Sequence, residues 1–110
     1  MEDVKRVRLL EASIERTSVK RMRDAQAECL KLNVQGRRGW TDYLVIPPNG
    51  RLFVIEFKRL GEEPRKLQLY LHKRLLDRNL PVYVCDNVAA AWSVYLRHAK
   101  LRKLALPSWF

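Results

Sequence analysis

The segment Arg51–Arg59, with the sequence RLFVIEFKR, constrains the fold of this 110-residue chain more than any other. Its apolar residues predict a strand, and the side chains of a strand alternate between the two faces of a sheet. Phe53 and Phe57 therefore share a plain core face, whereas Glu56 and Lys58 lie together on the opposite face. A carboxylate and an ammonium at the end of a central strand are costly to remove from water, and structure alone rarely requires them.

A predicted hairpin brings a second carboxylate to this position. The turn signal Pro47–Gly50 separates the strand from another apolar run, Tyr43–Ile46. The end of the second strand then lies beside the start of the first, so Asp42 comes close to Glu56. Two neighbouring carboxylates repel unless a cation lies between them, and hard divalent cations prefer oxygen ligands. The alternative is an edge-strand salt bridge between Glu56 and Lys58, with Asp42 a turn residue.

The pattern is typical of phosphate chemistry. A divalent cation held by the two carboxylates lowers the pKa of water and stabilises the charge on a phosphate. Lys58, two residues beyond Glu56, can neutralise a phosphate oxygen or position the attacking water.

The other segments complete a small mixed α/β domain with the order α-β-β-β-α-β-α. Helix formers without Pro or Gly predict a first helix from Val7 to about Glu28, and a leucine-rich face predicts a second over Arg65–Asn79. The remaining predicted elements are strands at Cys29–Val34 and Pro81–Cys85 and a final helix that runs from Val88 to Leu96 or onward to Leu104. With no repeat and no linker, we expect one stand-alone domain over residues 1–110.

The charge of the chain indicates a polyanionic partner. Lys and Arg total 22 against 12 Asp and Glu, which gives a formal net charge of +10. Nucleic acid is the leading candidate, an anionic membrane surface is the second, and a well-solvated basic surface is the third interpretation. No apolar run has the length of a membrane span, and the charged N-terminus lacks the apolar stretch of a signal peptide. Two cysteines in separate segments form no disulfide framework, so we expect a reducing, cytoplasmic compartment.

Three motifs occur in an order that is highly specific in combination. They are G-R-R-G-W-T-D at 36–42, I-E-F-K at 55–58 and G-E-E-P-R-K-L-Q at 61–68. Together they resemble the VRR-NUC family, the virus-type replication-repair nucleases of the PD-(D/E)xK superfamily, over roughly Leu10 to Asn87. The resemblance implies a restriction-endonuclease-like core, a mixed central sheet flanked by helices, that acts as a DNA endonuclease with Mg²⁺ or Mn²⁺ and no small-molecule cofactor. The family usually has Pro-Asp where this chain has Thr41-Asp42; because that Pro ligates nothing, we expect activity to survive.

The resemblance also assigns roles to individual residues. Asp42 and Glu56 match the metal-binding carboxylates, and Lys58 matches the catalytic lysine. Gln68 matches the glutamine of the helix that follows the core motif; a satisfied buried amide is its alternative role. The backbone carbonyl of Phe57 is expected to complete the metal shell, as strands in this superfamily often do.

The family further uses a glutamate from the first helix. Glu11 and Glu15 are four residues apart, so one helix face can present both. We prefer Glu15 because a better apolar pattern follows it. The alternative for either residue is a solvated helix carboxylate.

Basic residues beside the motifs are predicted to contact DNA phosphates, which adds affinity but little sequence information. These residues are Arg37, Arg38, Arg65 and Lys66. His72 and His98 show no metal-ligand spacing with each other or with a cysteine, and we assign them no role.

The resemblance to virus-type resolvases, together with the apolar and basic C-terminal end, predicts a homodimer. Two active sites related by a two-fold axis suit a four-way junction, so we expect an endonuclease similar to a Holliday-junction resolvase. We expect it to act in DNA repair, recombination or phage DNA replication. The expected location is the bacterial cytoplasm or a phage-infected host cell. The alternatives are a flap, nicking or general endonuclease, and a non-catalytic basic DNA-binding module.

Overall fold

The computed structural model describes the backbone of residues 2–32, 42–58 and 66–109 and the side chains of residues 12–32, 42–58 and 69–109. Within these ranges the elements follow the predicted order α-β-β-β-α-β-α. They are α1 (Glu2–Asp24), β1 (Glu28–Lys31), β2 (Asp42–Ile46), β3 (Phe53–Phe57), α2 (Lys66–Leu76), β4 (Val82–Cys85) and α3 (Val88–Ala99). No helix in the described part of the chain is both long and apolar enough to cross a membrane.

The first two helices stop at residues with left-handed backbone. Gln26 after α1 has a φ of 73°, and Asn79 after α2 has a φ of 62°. In both cases the N–H of the next residue donates to a helix carbonyl five residues earlier, at 3.0 Å. This C-terminal motif ends the helices at Asp24 and Leu76, before the ends that the sequence patterns predict, which are about Glu28 for the first helix and Asn79 for the second.

The sheet is mixed and has the strand order β1-β2-β3-β4. Strand β2 is antiparallel to both β1 and β3, whereas β3 and β4 are parallel. The predicted hairpin joins β2 to β3, with Gly50 at a φ of 79° and its N–H donating 2.9 Å to the Pro47 carbonyl. Strand β3 therefore has a neighbour on both sides, and all five of its residues are buried.

Helices cover both faces of the sheet. One face carries Phe53, Ile55 and Phe57, which are fully buried in the core. Residues of α1 and α3 pack there, and they are Val19, Met22, Ala91, Val94 and Tyr95. Helix α2 lies over the opposite face, where its His72 approaches Glu56. The predicted architecture, a mixed central sheet flanked by helices, is confirmed.

The chain after α3 runs along the β2–β3 turn. The N–H of Leu104 donates 2.9 Å to the carbonyl of Asn49. The Asn49 side-chain amide donates in turn to the carbonyls of His98 and Leu101, at 2.7 Å and 3.0 Å. These bonds hold the segment against the turn although its side chains remain exposed.

Candidate active site

The hairpin places two carboxylates directly opposite each other. Asp42 begins β2 and pairs with Glu56 near the end of β3. Asp42 is 2% exposed and Glu56 is 0% exposed. Because paired residues project to the same face of a sheet, both side chains point away from the Phe53 core and towards α2.

Lys58 supplies a positive charge at the same place. Its Nζ lies 3.0 Å from Glu56 Oε1, and both side chains are buried. The Lys58 backbone N–H donates 2.9 Å to the Cys85 carbonyl, which fixes the end of β3 against β4. An edge-strand salt bridge is therefore not the explanation of this pair, since β3 is an interior strand.

The site lacks hydrogen-bond partners for its charged atoms. Both oxygens of Glu56, Oδ1 of Asp42 and Nε2 of His72 are buried and accept or donate no hydrogen bond within the described part of the chain. The Lys58 ammonium forms an ion pair with Glu56 at 3.0 Å. Buried polar groups without partners are rare in native proteins and call for an explanation.

Carboxylates are concentrated at the site. Among the described side chains, Asp42 and Glu56 face the Lys58 ammonium and the His72 imidazole. Burial raises the pKa of Glu56, and the neighbouring Asp42 carboxylate raises it further, while Lys58 and His72 oppose the shift. The unpartnered oxygens and the paired carboxylates both fit a divalent cation, which would take Asp42 and Glu56 as ligands.

A residue that the sequence analysis left without a role completes the cluster. His72 on α2 is 6% exposed. Its Nε2 lies 3.2 Å from Glu56 Oε2 and 3.7 Å from Asp42 Oδ2. Asp42, Glu56 and His72 form a group whose potential metal-ligand atoms all lie within 4.8 Å of one another. One feature of the sequence indicated that His72 lies at the site. His72 follows Gln68 by four residues, so the two residues share a helix face.

Glu15 is not brought to this cluster. Its Oε1 accepts a 2.6 Å hydrogen bond from the hydroxyl of Tyr43 and lies 3.4 Å from Lys31 Nζ. Tyr43 follows Asp42 in β2, so it projects to the opposite face of the sheet. Burial raises the pKa of Tyr43 to about 12, with the Glu15 carboxylate as the next cause. Metal binding by Glu15 stays a prediction that this arrangement does not support.

The remaining predicted site residues are only partly described. Phe57 packs its ring against Tyr43, with centroids 5.9 Å apart, and its carbonyl as a metal ligand stays a prediction. Three residues lie on helices whose backbone is described but whose side chains there are not, and they are Glu11, Lys66 and Gln68. Three predicted phosphate-contacting residues lie outside the described residues altogether, and they are Arg37, Arg38 and Arg65.

Comparisons with known proteins agree with this fold. No family model matches the chain. A relative named "Putative nuclease p44", from Acyrthosiphon pisum secondary endosymbiont phage 1, is 39% identical over 77 residues, which cover 70% of this chain and 83% of the relative. A solved structure described as "VRR_NUC domain" is similar with a TM-score of 0.70 and 26% identity, covering 79% of this chain and 95% of that one. Since both the sequence relative and the solved structure align over most of their length, this chain belongs to the VRR-NUC family of nucleases.

Proposed function

We propose that this protein is a divalent-metal-dependent endonuclease that hydrolyses the phosphodiester bonds of DNA. The observation that carries the proposal is the buried Asp42–Glu56 pair beside the Lys58 ammonium, with oxygens that have no hydrogen-bond partner among the described residues. Family membership supports nuclease chemistry. The net charge of +10 favours a polyanionic substrate, because basic side chains release counterions when they neutralise phosphates.

Asp42 and Glu56 would hold the ion, which we take to be Mg²⁺ or Mn²⁺, with the Phe57 carbonyl as a further ligand. When bound, the ion supplies Lewis-acid stabilisation of phosphate charge and makes water more acidic. Lys58 is the cationic group of the chain itself at this site, 3.0 Å from Glu56. Because Lys58 is buried, its ammonium acts through a low dielectric and stabilises negative charge on a phosphate strongly. We propose that Gln68 orients the site.

The proposed phosphate contacts lie next to the site along the chain. Arg37 and Arg38 precede Asp42 in the sequence by five and four residues, Lys66 is the first residue of α2, and Arg65 precedes it in the sequence. We propose that these residues grip the DNA backbone on both sides of the scissile bond. Such contacts position the substrate without reading its sequence, which fits an enzyme that recognises DNA shape.

A homodimer that acts on branched DNA is the finer form of the proposal. Apolar residues after α3 are between 47% and 82% exposed, and they are Leu101, Leu104, Leu106 and Trp109. Exposed apolar patches of this kind favour an interaction surface, and we propose that a second copy of the chain covers it. Two sites related by a two-fold axis would suit paired cuts in a four-way junction during repair, recombination or phage DNA replication in a bacterial cytoplasm.

Light scattering tests the dimer. Leu106→Glu should convert a dimer to a monomer, whereas Leu30→Glu on β1, at a residue with 51% exposure, should not. A monomeric wild-type protein at micromolar concentration would contradict the dimer and leave the nuclease proposal in place.

A cleavage assay tests the activity. Labelled four-way junction, linear duplex, flap and single strand are incubated with Mg²⁺, Mn²⁺ or EDTA. Asp42→Asn is compared with Asp77→Asn, the same chemical change at an exposed residue after α2. We expect metal-dependent cuts that Asp42→Asn loses and Asp77→Asn retains.

The substrate pattern decides between the alternatives. Paired cuts confined to the junction support structure selectivity. Equal cutting of flap or linear DNA contradicts junction selectivity but keeps the endonuclease. Tight, salt-sensitive binding without cleavage under any metal contradicts the enzyme and indicates a DNA-binding module.

A further inference from the structure

The cluster at the Asp42–Glu56 pair contains a nitrogen ligand as well as oxygens. We propose that His72 binds the metal directly through Nε2, and that the mixed oxygen–nitrogen site prefers Mn²⁺ to Mg²⁺. The inference rests on the proposed function for the presence of a metal. It goes beyond that function by naming a third protein ligand and the preferred ion.

The spacing of the three side chains is that of ligands around one ion. Ligand atoms about 2.1 Å from a metal lie about 3.0 Å apart at a right angle and about 3.4 Å apart at the tetrahedral angle. The measured distances from His72 Nε2 are 3.2 Å to Glu56 Oε2 and 3.7 Å to Asp42 Oδ2. No large movement of α2 is therefore needed for His72 to share an ion with both carboxylates.

A direct hydrogen bond from His72 to the carboxylates does not account for the contact. Within the described part of the chain Nε2 is buried and makes no hydrogen bond, although Glu56 Oε2 is only 3.2 Å away. Nε2 and the two carboxylates converge on the same space, with their potential ligand atoms within 4.8 Å of one another. A cation at their centre satisfies all three groups at once.

His72 adds a nitrogen to the carboxylate ligands of the hairpin. Of the two first-helix glutamates that the resemblance offers as ligands, Glu15 is engaged by the Tyr43 hydroxyl at 2.6 Å on the other face of the sheet, and the Glu11 side chain lies outside the described residues. Imidazole binds transition-metal ions well, whereas Mg²⁺ is held by oxygens and keeps its waters. A nitrogen ligand from His72 therefore raises the affinity for Mn²⁺ relative to Mg²⁺.

Electron paramagnetic resonance of bound Mn²⁺ tests the inference without an activity measurement. Echo-modulation spectra detect the ¹⁴N coupling of a directly bound imidazole. The chain has two histidines, so untagged protein gives an unambiguous signal. His98 is the matched control, because its Nε2 meets the Tyr83 hydroxyl at 2.9 Å and its Nδ1 meets the Arg51 carbonyl at 3.0 Å.

We expect ¹⁴N coupling in the wild-type protein and in His98→Gln, and its loss in His72→Gln. We also expect His72→Gln to weaken Mn²⁺ binding about tenfold or more. Mg²⁺ binding should change less, because the Gln carbonyl offers an oxygen. If His72→Gln fails to fold, coupling that persists in His98→Gln still assigns the signal to His72, and its absence from the wild-type spectrum overturns the inference.

Two results separate failure of the inference from failure of the proposed function. Wild-type protein that binds Mn²⁺ and cuts DNA but shows no ¹⁴N coupling overturns the role of His72 and leaves the metal-dependent nuclease standing. Wild-type protein that binds neither Mn²⁺ nor Mg²⁺ overturns both.

Discussion

Replacing Asp42 by Asn should stabilise the metal-free protein and at the same time abolish its stabilisation by metal. Asp42 is buried beside Glu56, and Oδ1 of Asp42 has no hydrogen-bond partner in the described structure. The substitution keeps the shape of the side chain and leaves the ion pair between Lys58 and Glu56 intact. It removes one of the two buried carboxylate charges, and with it the repulsion between them.

The size of the effect follows from the separation of the charges. The potential ligand oxygens of Asp42 and Glu56 lie within 4.8 Å of each other. At that distance like charges repel by about 1 kcal/mol in water and by about 3.5 kcal/mol at an effective dielectric constant near 20. We therefore expect the free energy of unfolding in EDTA to rise by about 1–3 kcal/mol. For a domain of this size about 1 kcal/mol corresponds to about 4 °C in Tm.

Metal raises the stability of the wild type relative to that of Asp42→Asn. A ligand that binds only the folded state at one hundred times its Kd stabilises the protein by about 2.7 kcal/mol. The wild-type Tm should therefore rise by about 10 °C in saturating Mn²⁺, whereas the Tm of Asp42→Asn should stay constant. The variant melts above the wild type in EDTA and below it, or level with it, in Mn²⁺.

Thermal melts followed by circular dichroism at pH 8 provide the assay. Asp77→Asn is the control, because this exposed residue tests the same change of charge outside the site, and it should follow the wild type in both buffers. The reasoning is refuted if Asp42→Asn is less stable than wild type in EDTA, or if metal shifts both proteins equally.

The other predictions concern the cation of the site, pH and a helix cap. Lys58→Met removes the buried ammonium that pairs with Glu56, so its free energy of unfolding in EDTA should fall by about 3 kcal/mol or more; an unchanged Tm contradicts the ion pair. Burial lowers the pKa of His98 below its usual value of 6.5. The buried neutral imidazole therefore stabilises the folded state fully above pH 6.5, and this stabilisation is lost as the pH falls from 6.5 through the lower pKa of the folded state. In urea denaturation from pH 7.5 to 5.5, the free energy of unfolding should therefore fall less steeply for His98→Gln than for the wild type, by up to about 1.4 kcal/mol per pH unit. Equal slopes for the two proteins contradict the pKa shift. Asn87 accepts a 2.7 Å hydrogen bond from the Ala90 N–H, so Asn87→Ala should lower stability by about 1 kcal/mol while Asn87→Asp retains it; equal losses in both variants rule out the cap.

The sequence by itself determined the part of the site that lies on the hairpin. Alternation along β3 puts Glu56 and Lys58 on one face because successive strand residues point to opposite sides. The turn at Pro47–Gly50 is short and local, so it fixes which residues of the two strands meet, and Asp42 is opposite Glu56.

Only the tertiary structure decided which helix residues reach that pair. The leucines of α2 predict a buried face that includes Leu76, yet Leu76 is 52% exposed and His72 is buried instead. Glu15 likewise turns to Tyr43 rather than to Asp42. A helical pattern gives the approximate apolar side of a helix, but the rotation and position of the helix over the sheet depend on packing between residues distant in sequence. That packing brings the His72 nitrogen to the carboxylates and, in our proposal, selects the metal.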